Sequence, residues 1–272
     1  MGIYISTNLF RPRDLENIFP LVDKVKEALK LEKIEDEKVG IELFPEWQSE
    51  IFEEVLRGNL EKFKSYNISL HGPYYKTEHS EKCGTEGYDR AIDYFTRTLQ
   101  LSKDLKSEYI VYHHNNCKIT NKDKREIIKV SSENLLELNK LSKEYDANII
   151  VENAGVKFND NMLFDEDEFI DMAKSIDNTI LIDIGHAFAN GWNLERVIKE
   201  LKDKIVSYHL HNNNGINDSH DLITNGKLNM DEFMKLYKEY TPKADLVIEY
   251  GAHCANATNN IVEDIIWCIK NK

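Results

Sequence analysis

The sequence contains few prolines, glycines and cysteines, the residues that form linkers and cross-links in small modular proteins. It has 5 prolines, 12 glycines and 4 cysteines in 272 residues, and no linker rich in Pro, Gly or Ser divides it. No two cysteines stand in a C-x-x-C pair, so neither a structural zinc motif nor a disulfide framework is indicated. Four reduced thiols in a cytoplasmic protein are the expectation.

Long apolar runs and an excess of basic charge are also missing. No run approaches the ~18 apolar residues of a membrane span, and the start MGIYISTNLF lacks the basic and apolar regions of a signal peptide. The start fits the myristoylation pattern through Gly2 and Ser6, but a buried first strand explains the same residues. Lys+Arg number 35 against 48 Asp+Glu, a net charge of −13. That balance disfavours nucleic acid as a partner without excluding it, because bound metal ions can outweigh their surroundings.

Eight short apolar runs alternate with charged, amphipathic stretches of helical period. Dividing 272 residues by eight gives 34 per unit, enough for a strand, a helix and two loops. Such alternation predicts a parallel sheet, and eight units predict an α/β protein with one (β/α)8 TIM barrel over residues 1–272. An open doubly wound sheet is the alternative, but no G-x-G-x-x-G follows the first run. The runs are 3–6, 39–44, 67–71, 109–114, 148–153, 179–184, 205–211 and 246–250.

Side chains able to bind a metal stand in or directly after seven of these runs. The C-terminal ends of barrel strands open on one face, so these residues should converge there. Carboxylates and neutral imidazoles suit zinc, manganese or iron, with magnesium also possible, and we predict one to three divalent ions per chain. The strongest candidates lie on four successive strands: Glu152, Asp183, His209 and Glu249. Further candidates are His71, His113, His186, Asp218 and His220.

Each of these residues has a simpler interpretation when it is taken alone. A histidine at a strand end commonly makes a loop hydrogen bond, and an acidic residue there commonly caps a helix or forms a surface ion pair. Glu42 and Glu46 fit a substrate contact or an ion pair at the barrel rim equally well.

Side-chain alternation along a strand decides between neighbouring histidines. It predicts that one of His113 and His114 points away from the site, and we extend this prediction to His209 and His211. We expect His113 and His209 to be the ligands.

Six segments resemble the xylose-isomerase-like TIM-barrel superfamily, which contains sugar-phosphate isomerases and epimerases and also endonuclease IV, a metal-dependent abasic-site nuclease. They follow the superfamily's order along residues 39–251. All six segments together are specific to this superfamily, whereas taken singly only DIGHAFANG and HLHNNNGINDSH are informative. They are HGPY (71–74), YHHN (112–115), VENAG (151–155), DIGHAFANG (183–191), HLHNNNGINDSH (209–220) and IEYG (248–251).

The resemblance implies a role for each matching residue. The metal core shared by the isomerases and epimerases would be Glu152, Asp183, His209 and Glu249. Endonuclease IV binds three zinc ions through nine ligands, and all nine positions are filled here, with Glu152 bridging two ions. The five positions beyond the core are His71, His113, His186, Asp218 and His220, the last three holding the third ion.

The two branches of the superfamily imply different chemistry. The nine ligands and the pair Tyr74–Tyr75 favour the nuclease. Against it, residues 43–50 contain no Arg or Lys where the nuclease contacts DNA, and acidic loops at 35–38, 159–161 and 165–168 would repel phosphates. We therefore expect an isomerase or epimerase of a sugar, a sugar phosphate or a polyol, and the lack of a Lys/Arg cluster among the strand-end motifs favours an unphosphorylated substrate. An abasic-DNA phosphodiesterase is the alternative, a non-catalytic metal- or sugar-binding barrel the third, and the oligomeric state is not determined.

The isomerase interpretation assigns two kinds of role. Glu152 and Glu249 would remove and return a proton beside a carbonyl, through an enediolate that a divalent ion stabilises. His186 and His211 would hydrogen-bond substrate hydroxyls. The aromatic side chains that could line a sugar site are Trp47, Tyr74 and Trp192.

Overall fold

A computed structural model describes residues 1–34, 37–120 and 122–272, so the acidic loop at 35–38 lies partly outside the described residues. Within them, eight parallel strands pair in chain order and close into a barrel, with β1 beside β8. This confirms the predicted (β/α)8 TIM barrel. The strands are β1 Ile3–Ser6, β2 Val39–Leu43, β3 Asn67–Leu70, β4 Ile110–Tyr112, β5 Ile149–Glu152, β6 Thr179–Asp183, β7 Ile205–Leu210 and β8 Asp245–Ile248.

Helices surround the barrel, and in the described part of the chain none is both long and apolar enough to cross a membrane. The α-helices are α1 Ile18–Leu31, α2 Glu50–Phe63, α3 Glu86–Leu105, α4 Lys124–Ser142, α5 Glu166–Ser175, α6 Ile184–Ala189, α7 Leu194–Leu201, α8 Met230–Tyr240 and α9 Thr258–Asn271. Short 3-10 helices cover Thr7–Leu9, Pro12–Asn17, Lys143–Tyr145, Lys157–Asn159 and Ala252–Cys254.

Side-chain caps fix where several helices begin after the loops of the barrel mouth. Ser49 accepts a hydrogen bond from the Phe52 amide at the start of α2, and Asp165 accepts one from the Glu168 amide at the start of α5. The Glu168 carboxylate accepts the Asp165 amide in return, which completes a capping box. Each cap stabilises its helix by about 1 kcal/mol and so defines the length of the loop before it.

Alternation along the strands separates two buried layers. One set of strand residues, such as Ile41 and Ile182, packs outward against the helices in the main core. The other set points into the bore, where Val111, Ile150 and Leu181 form a separate small apolar cluster. The next inward-facing residues along each strand, at its C-terminal end, form the floor of the mouth.

His79 predicts how stability depends on pH. It is buried between Phe95 and Tyr112, with ring centroids 5.4 and 4.7 Å away, and burial lowers its pKa from 6.5 to about 3. The folded chain therefore holds it neutral, and its contribution to stability is complete above pH 6.5 and is lost as the pH falls towards 3. The loss approaches about 1.4 kcal/mol per pH unit.

We expect His79→Leu to flatten the acid side of the stability–pH profile, measured as the free energy of unfolding in urea at pH 7 and pH 5. His253→Gln is the matched control, because the His253 side chain is 55% exposed. An unchanged slope in His79→Leu would contradict this interpretation.

Candidate metal centre

The predicted ligands converge at the C-terminal end of the barrel. Seven of the nine line a cavity of about 250 Å³ at the mouth, and the other two, Asp183 and His209, lie beneath it with no solvent exposure. Their ligand atoms form overlapping groups in which all members lie within 4.8 Å of one another. The geometry therefore brings together residues that are up to 178 positions apart in the sequence (249 − 71).

Glu152, at the end of β5, lies at the centre of these groups. Its Oε2 is 2.9 Å from Nε2 of His113, 3.4 Å from Nδ1 of His209 and 3.9 Å from Nε2 of His71. Its Oε1 is 3.3 Å from Nδ1 of His186. One carboxylate thus faces three separate sets of imidazoles, which is the position of a bridging ligand.

His71 and His113 form the first set, and each has one ring nitrogen already engaged. Nδ1 of His71 donates to the carbonyl oxygen of Gly72 at 2.7 Å, and Nδ1 of His113 donates to Oδ1 of Asn116 at 3.2 Å. Both Nε2 atoms are therefore directed at Glu152. Burial lowers the pKa of His71 to about 3, so this imidazole is neutral and its Nε2 lone pair is free.

The second set depends on Asp183, which ends β6 and also caps α6. Its Oδ1 accepts a hydrogen bond from the His186 amide at 2.6 Å. The Asn153 side chain binds the Asp183 backbone twice, by accepting a hydrogen bond from the amide and by donating one to the carbonyl oxygen. The remaining oxygen, Oδ2, lies 3.9 Å from Nδ1 of His209. The D-x-x-H spacing therefore places a carboxylate and an imidazole at one helix start.

The third set consists of His186, His211, Asp218 and His220. Asp218 and His220 come from the loop after β7, which returns to the mouth because the backbones of Asn212 and Asp221 pair. Nδ1 of His220 donates to the Glu249 carbonyl at 2.8 Å and leaves Nε2 3.2 Å from Asp218.

One part of the alternation prediction is wrong. His113 faces the bore while His114 turns outward to Ser131, as expected. His209 and His211, however, are two residues apart and so lie on the same side of β7. His211 is fully buried, with Nε2 3.0 Å from Oδ2 of Asp183 and its ring stacked 3.9 Å from that of His220.

Gly185 makes room for this inward histidine. A Cβ atom at Gly185 would lie 2.1 Å from the His211 ring, so no larger residue fits there. His211 does not border the cavity, and the hydroxyl contact predicted for it has no direct route to the mouth.

Glu42 is the residue whose role the sequence did not reveal. It is neither at the rim nor at the cavity: it is fully buried in the bore, and its Oε2 accepts a hydrogen bond from Nε2 of His209 at 3.0 Å. Glu46 is half-buried and accepts a bond from Gln48 instead. The sequence around Glu42 does not predict this contact, because β2 and β7 come close to each other only when the barrel closes.

Several buried polar atoms at the centre have no hydrogen-bond partner among the described residues. They include Oε1 of Glu152, Nδ1 of His186, Nδ1 of His209 and Oδ1 of Asp218. Such atoms are costly to bury unsatisfied, and all four belong to residues of the groups that could hold a metal ion. Mixed nitrogen and oxygen donors at these separations fit divalent ions such as zinc, manganese or iron.

Electrostatics at the centre favour a cation. Burial lowers the pKa of His209, but Glu249, Glu42 and Glu152 outweigh it and hold that pKa well above its usual range. Burial raises the pKa of Glu152, but His113 and His209 outweigh it and hold the net value well below the usual range. Glu152 is thus held ionised and attracts positive charge into the pocket.

The cavity wall is rich in amides and aromatic rings. Among the described residues, no Lys or Arg lines it. Phe44 stacks on His71 at 4.2 Å, and Tyr74 lies edge-on to Tyr75 at 5.4 Å. The asparagines that line the cavity are Asn8, Asn115, Asn116, Asn159 and Asn161.

Tyr74 lies at the cavity as expected, but the prediction for Trp47 as a substrate wall is wrong. Trp47 lines a groove on the outside of the barrel, where its indole N–H donates to Thr98 and its ring lies under the Arg97 guanidinium at 4.3 Å. Trp192 also lies away from the mouth cavity and packs on Phe169. Both tryptophans lie on the outer side of the barrel, where helix residues cover their apolar rings.

Comparison with known proteins agrees with this architecture. The pattern of the family described as xylose isomerase-like TIM barrel matches residues 26–271. An uncharacterized protein of Methanocaldococcus jannaschii is 27% identical over 276 residues, which cover 100% of this chain and 98% of that protein. The structure of the IolI protein with a bound zinc atom matches with a TM-score of 0.75 at 17% identity, over 99% of this chain and 98% of that one. The 3-keto-D-glucoside 4-epimerase of E. coli matches with a TM-score of 0.72 at 13% identity, over 99% of both chains.

Proposed function

This chain belongs to the xylose isomerase-like TIM-barrel family, and we propose that it is a divalent-metal-dependent isomerase or epimerase of an unphosphorylated sugar or polyol-like compound. One observation carries the proposal. Two carboxylates, Glu152 and Glu249, flank Nδ1 of His209 at 3.4 and 3.2 Å and both border the same small cavity. A substrate carbon in that cavity would have a carboxylate on either side.

The four residues Glu152, Asp183, His209 and Glu249 would hold the ion at the base of the cavity. A bound divalent ion supplies a Lewis acid that polarises a carbonyl and stabilises the charge that develops on its oxygen. Glu152 is held ionised by His113 and His209, so it is able to accept a proton from the carbon beside that carbonyl. Glu249 directly follows β8, which is three strands further round the barrel than β5, and it would return a proton from the other side.

The cavity wall supports a neutral substrate. Amide groups donate and accept hydrogen bonds in the way that sugar hydroxyls require, and Asn116 and Asn161 are each held by neighbouring loops. A phosphorylated sugar would meet the ionised carboxylates with no Lys or Arg in the described lining to compensate. The volume, below that of typical drug-sized pockets, suits a monosaccharide.

We expect turnover of a neutral ketose to exceed that of its phosphate ester by at least about 10-fold in kcat/KM, the equivalent of about 1.4 kcal/mol. The measurement is exchange of the C–H hydrogen with deuterated water, followed by NMR over a panel of ketoses and their phosphates with zinc, manganese or iron. The same spectra follow the epimer or isomer that forms: Glu249→Gln should abolish product formation, because the proton can no longer be returned from the second side, and Glu46→Gln, outside the cavity, should leave it unchanged. Product formation in Glu249→Gln at the rate of the unsubstituted protein would refute the mechanism.

A phosphodiesterase acting on abasic DNA is the second candidate, and the third donor set favours it. An isomerase needs one or two ions, whereas His186, Asp218 and His220 supply a further group of donors beside the core. Chelator-sensitive cleavage of an abasic-site duplex by the fully metal-loaded protein would support this candidate. Absence of cleavage under those conditions would remove it.

A further inference from the structure

Glu42 is fully buried in the bore of the barrel, out of contact with the cavity, and it makes one hydrogen bond in the described structure. A carboxylate in such a place is strongly destabilising unless a partner compensates it. The partner is His209, itself fully buried, whose Nε2 is 3.0 Å from Oε2 of Glu42. The pair joins β2 to β7 across the inside of the barrel.

The two nitrogens of His209 face different surroundings. Nε2 faces Glu42 below the site. Nδ1 faces Glu249 at 3.2 Å, Glu152 at 3.4 Å and Asp183 at 3.9 Å, and it has no hydrogen-bond partner among the described residues. The ring nitrogens of one imidazole diverge, so an ion shared with the three carboxylates has to bind at Nδ1.

We propose that Glu42 is a positioning residue for the metal centre: by accepting the Nε2 proton of His209 it fixes the ring orientation and the tautomer that leaves Nδ1 to bind the ion. The proposal rests on the metal-binding part of the proposed function. A carboxylate on the far side of a ligating imidazole also makes the imidazole a stronger electron donor, and loss of such a partner typically weakens metal binding about 10- to 100-fold.

The register partners of Glu42 on the two neighbouring strands are serines, which carry no charge. They are Ser6 on β1 and Ser69 on β3, and the Ser69 hydroxyl makes no hydrogen bond in the described structure. Shortening or neutralising Glu42 would leave Nε2 of His209 without a charged acceptor. The ring could then rotate or take its other tautomer, and Nδ1 would be lost as a ligand.

The test compares Glu42→Gln and Glu42→Ala with the unsubstituted protein and with Glu46→Gln. Glu46 follows the same strand but contacts Gln48 and lies outside the cavity, so it is a matched carboxylate-to-amide control. Circular dichroism establishes that each variant is folded. Zinc affinity is then measured by competition with a chromophoric chelator. We expect a loss of about 10-fold for Glu42→Gln and about 100-fold for Glu42→Ala, with no change for Glu46→Gln.

A second readout separates positioning from a general structural effect. In the ¹⁵N-labelled chain loaded with ¹¹³Cd, we expect cadmium coupling to Nδ1 of His209 and a slowly exchanging proton on Nε2, and we expect both signals to be lost or weakened in Glu42→Gln. Cadmium coupling to Nε2 would overturn the proposal. So would equal zinc affinity in all four proteins. If the unsubstituted chain binds no zinc at all, the proposed function fails together with this inference, whereas failure of the Glu42 variants alone to differ leaves the proposed function standing.

Discussion

Glu152→Gln is expected to lose more bound metal than any other single substitution at the centre, together with a fall in turnover of about 100- to 10,000-fold. Its two oxygens face His113, His209 and His186, which belong to three donor sets. A glutamine is the same size but is neutral and can bring only one oxygen to a site. Metal content after dialysis, counted by inductively coupled plasma mass spectrometry, should fall by at least one ion per chain.

Glu249→Gln is the matched control for that loss. Glu249 is also a buried carboxylate beside His209, but its other contact is with His220 at 3.6 Å, and it does not reach His71 or His113. Its substitution should abolish turnover as fully while removing fewer ions. Equal metal contents in the two variants would show that Glu152 is not shared between sites.

Zinc is expected to raise the melting temperature by about 10 °C per site at a free zinc concentration of 1,000 Kd, and a chelator should reverse the rise. An ion at that ratio stabilises the folded state by about 4 kcal/mol, and each kcal/mol shifts the melting temperature of a domain of this size by about 2–4 °C. The buried carboxylates Glu152, Asp183 and Glu249 repel one another without a cation, which adds to the effect. Differential scanning calorimetry measures it directly.

The zinc-induced rise should be larger at pH 8 than at pH 6. Burial lowers the pKa of His220, but Asp218 and Glu249 outweigh it and raise the pKa to about 10. The pKa of His186 is likewise held well above its usual range against burial, by Asp183 and Asp218. An ion therefore has to displace protons, and its affinity rises with pH. Calcium, which prefers oxygen ligands alone, is the control and should give little shift. A shift that is equal for calcium and zinc would contradict a site built on imidazoles.

The repeating pattern of the chain determined the barrel and the face on which the site lies. Eight apolar runs with helical stretches between them admit few arrangements, and the ends of parallel strands have to open on one side. The residues Glu152, Asp183 and Glu249 each end or directly follow such a run. Their convergence could therefore be predicted without any knowledge of distances.

What the sequence could not provide was the direction and partner of individual side chains. Trp47 stands four residues beyond β2 and was expected at the mouth, but in the structure it lies on the outside of the barrel, against Thr98 and Arg97. His211 was expected to turn away, but the two-residue period of β7 keeps it beside Asp183. Loop paths depend on packing against helices that are distant in the sequence, and no local pattern encodes them.

By itself, the sequence determined a (β/α)8 barrel with a set of imidazoles and carboxylates at its C-terminal mouth, because periodicity and strand polarity are local properties of the chain. The resemblance already implied a bridging role for Glu152, but the tertiary structure alone decided which imidazoles it faces and that Glu42 lies under His209. The contacts of His209 join β7 to β5 through Glu152 and to β2 through Glu42, and neither of these strands is a neighbour of β7 in the barrel. These contacts exist only because the sheet closes on itself and brings distant strands within hydrogen-bond distance.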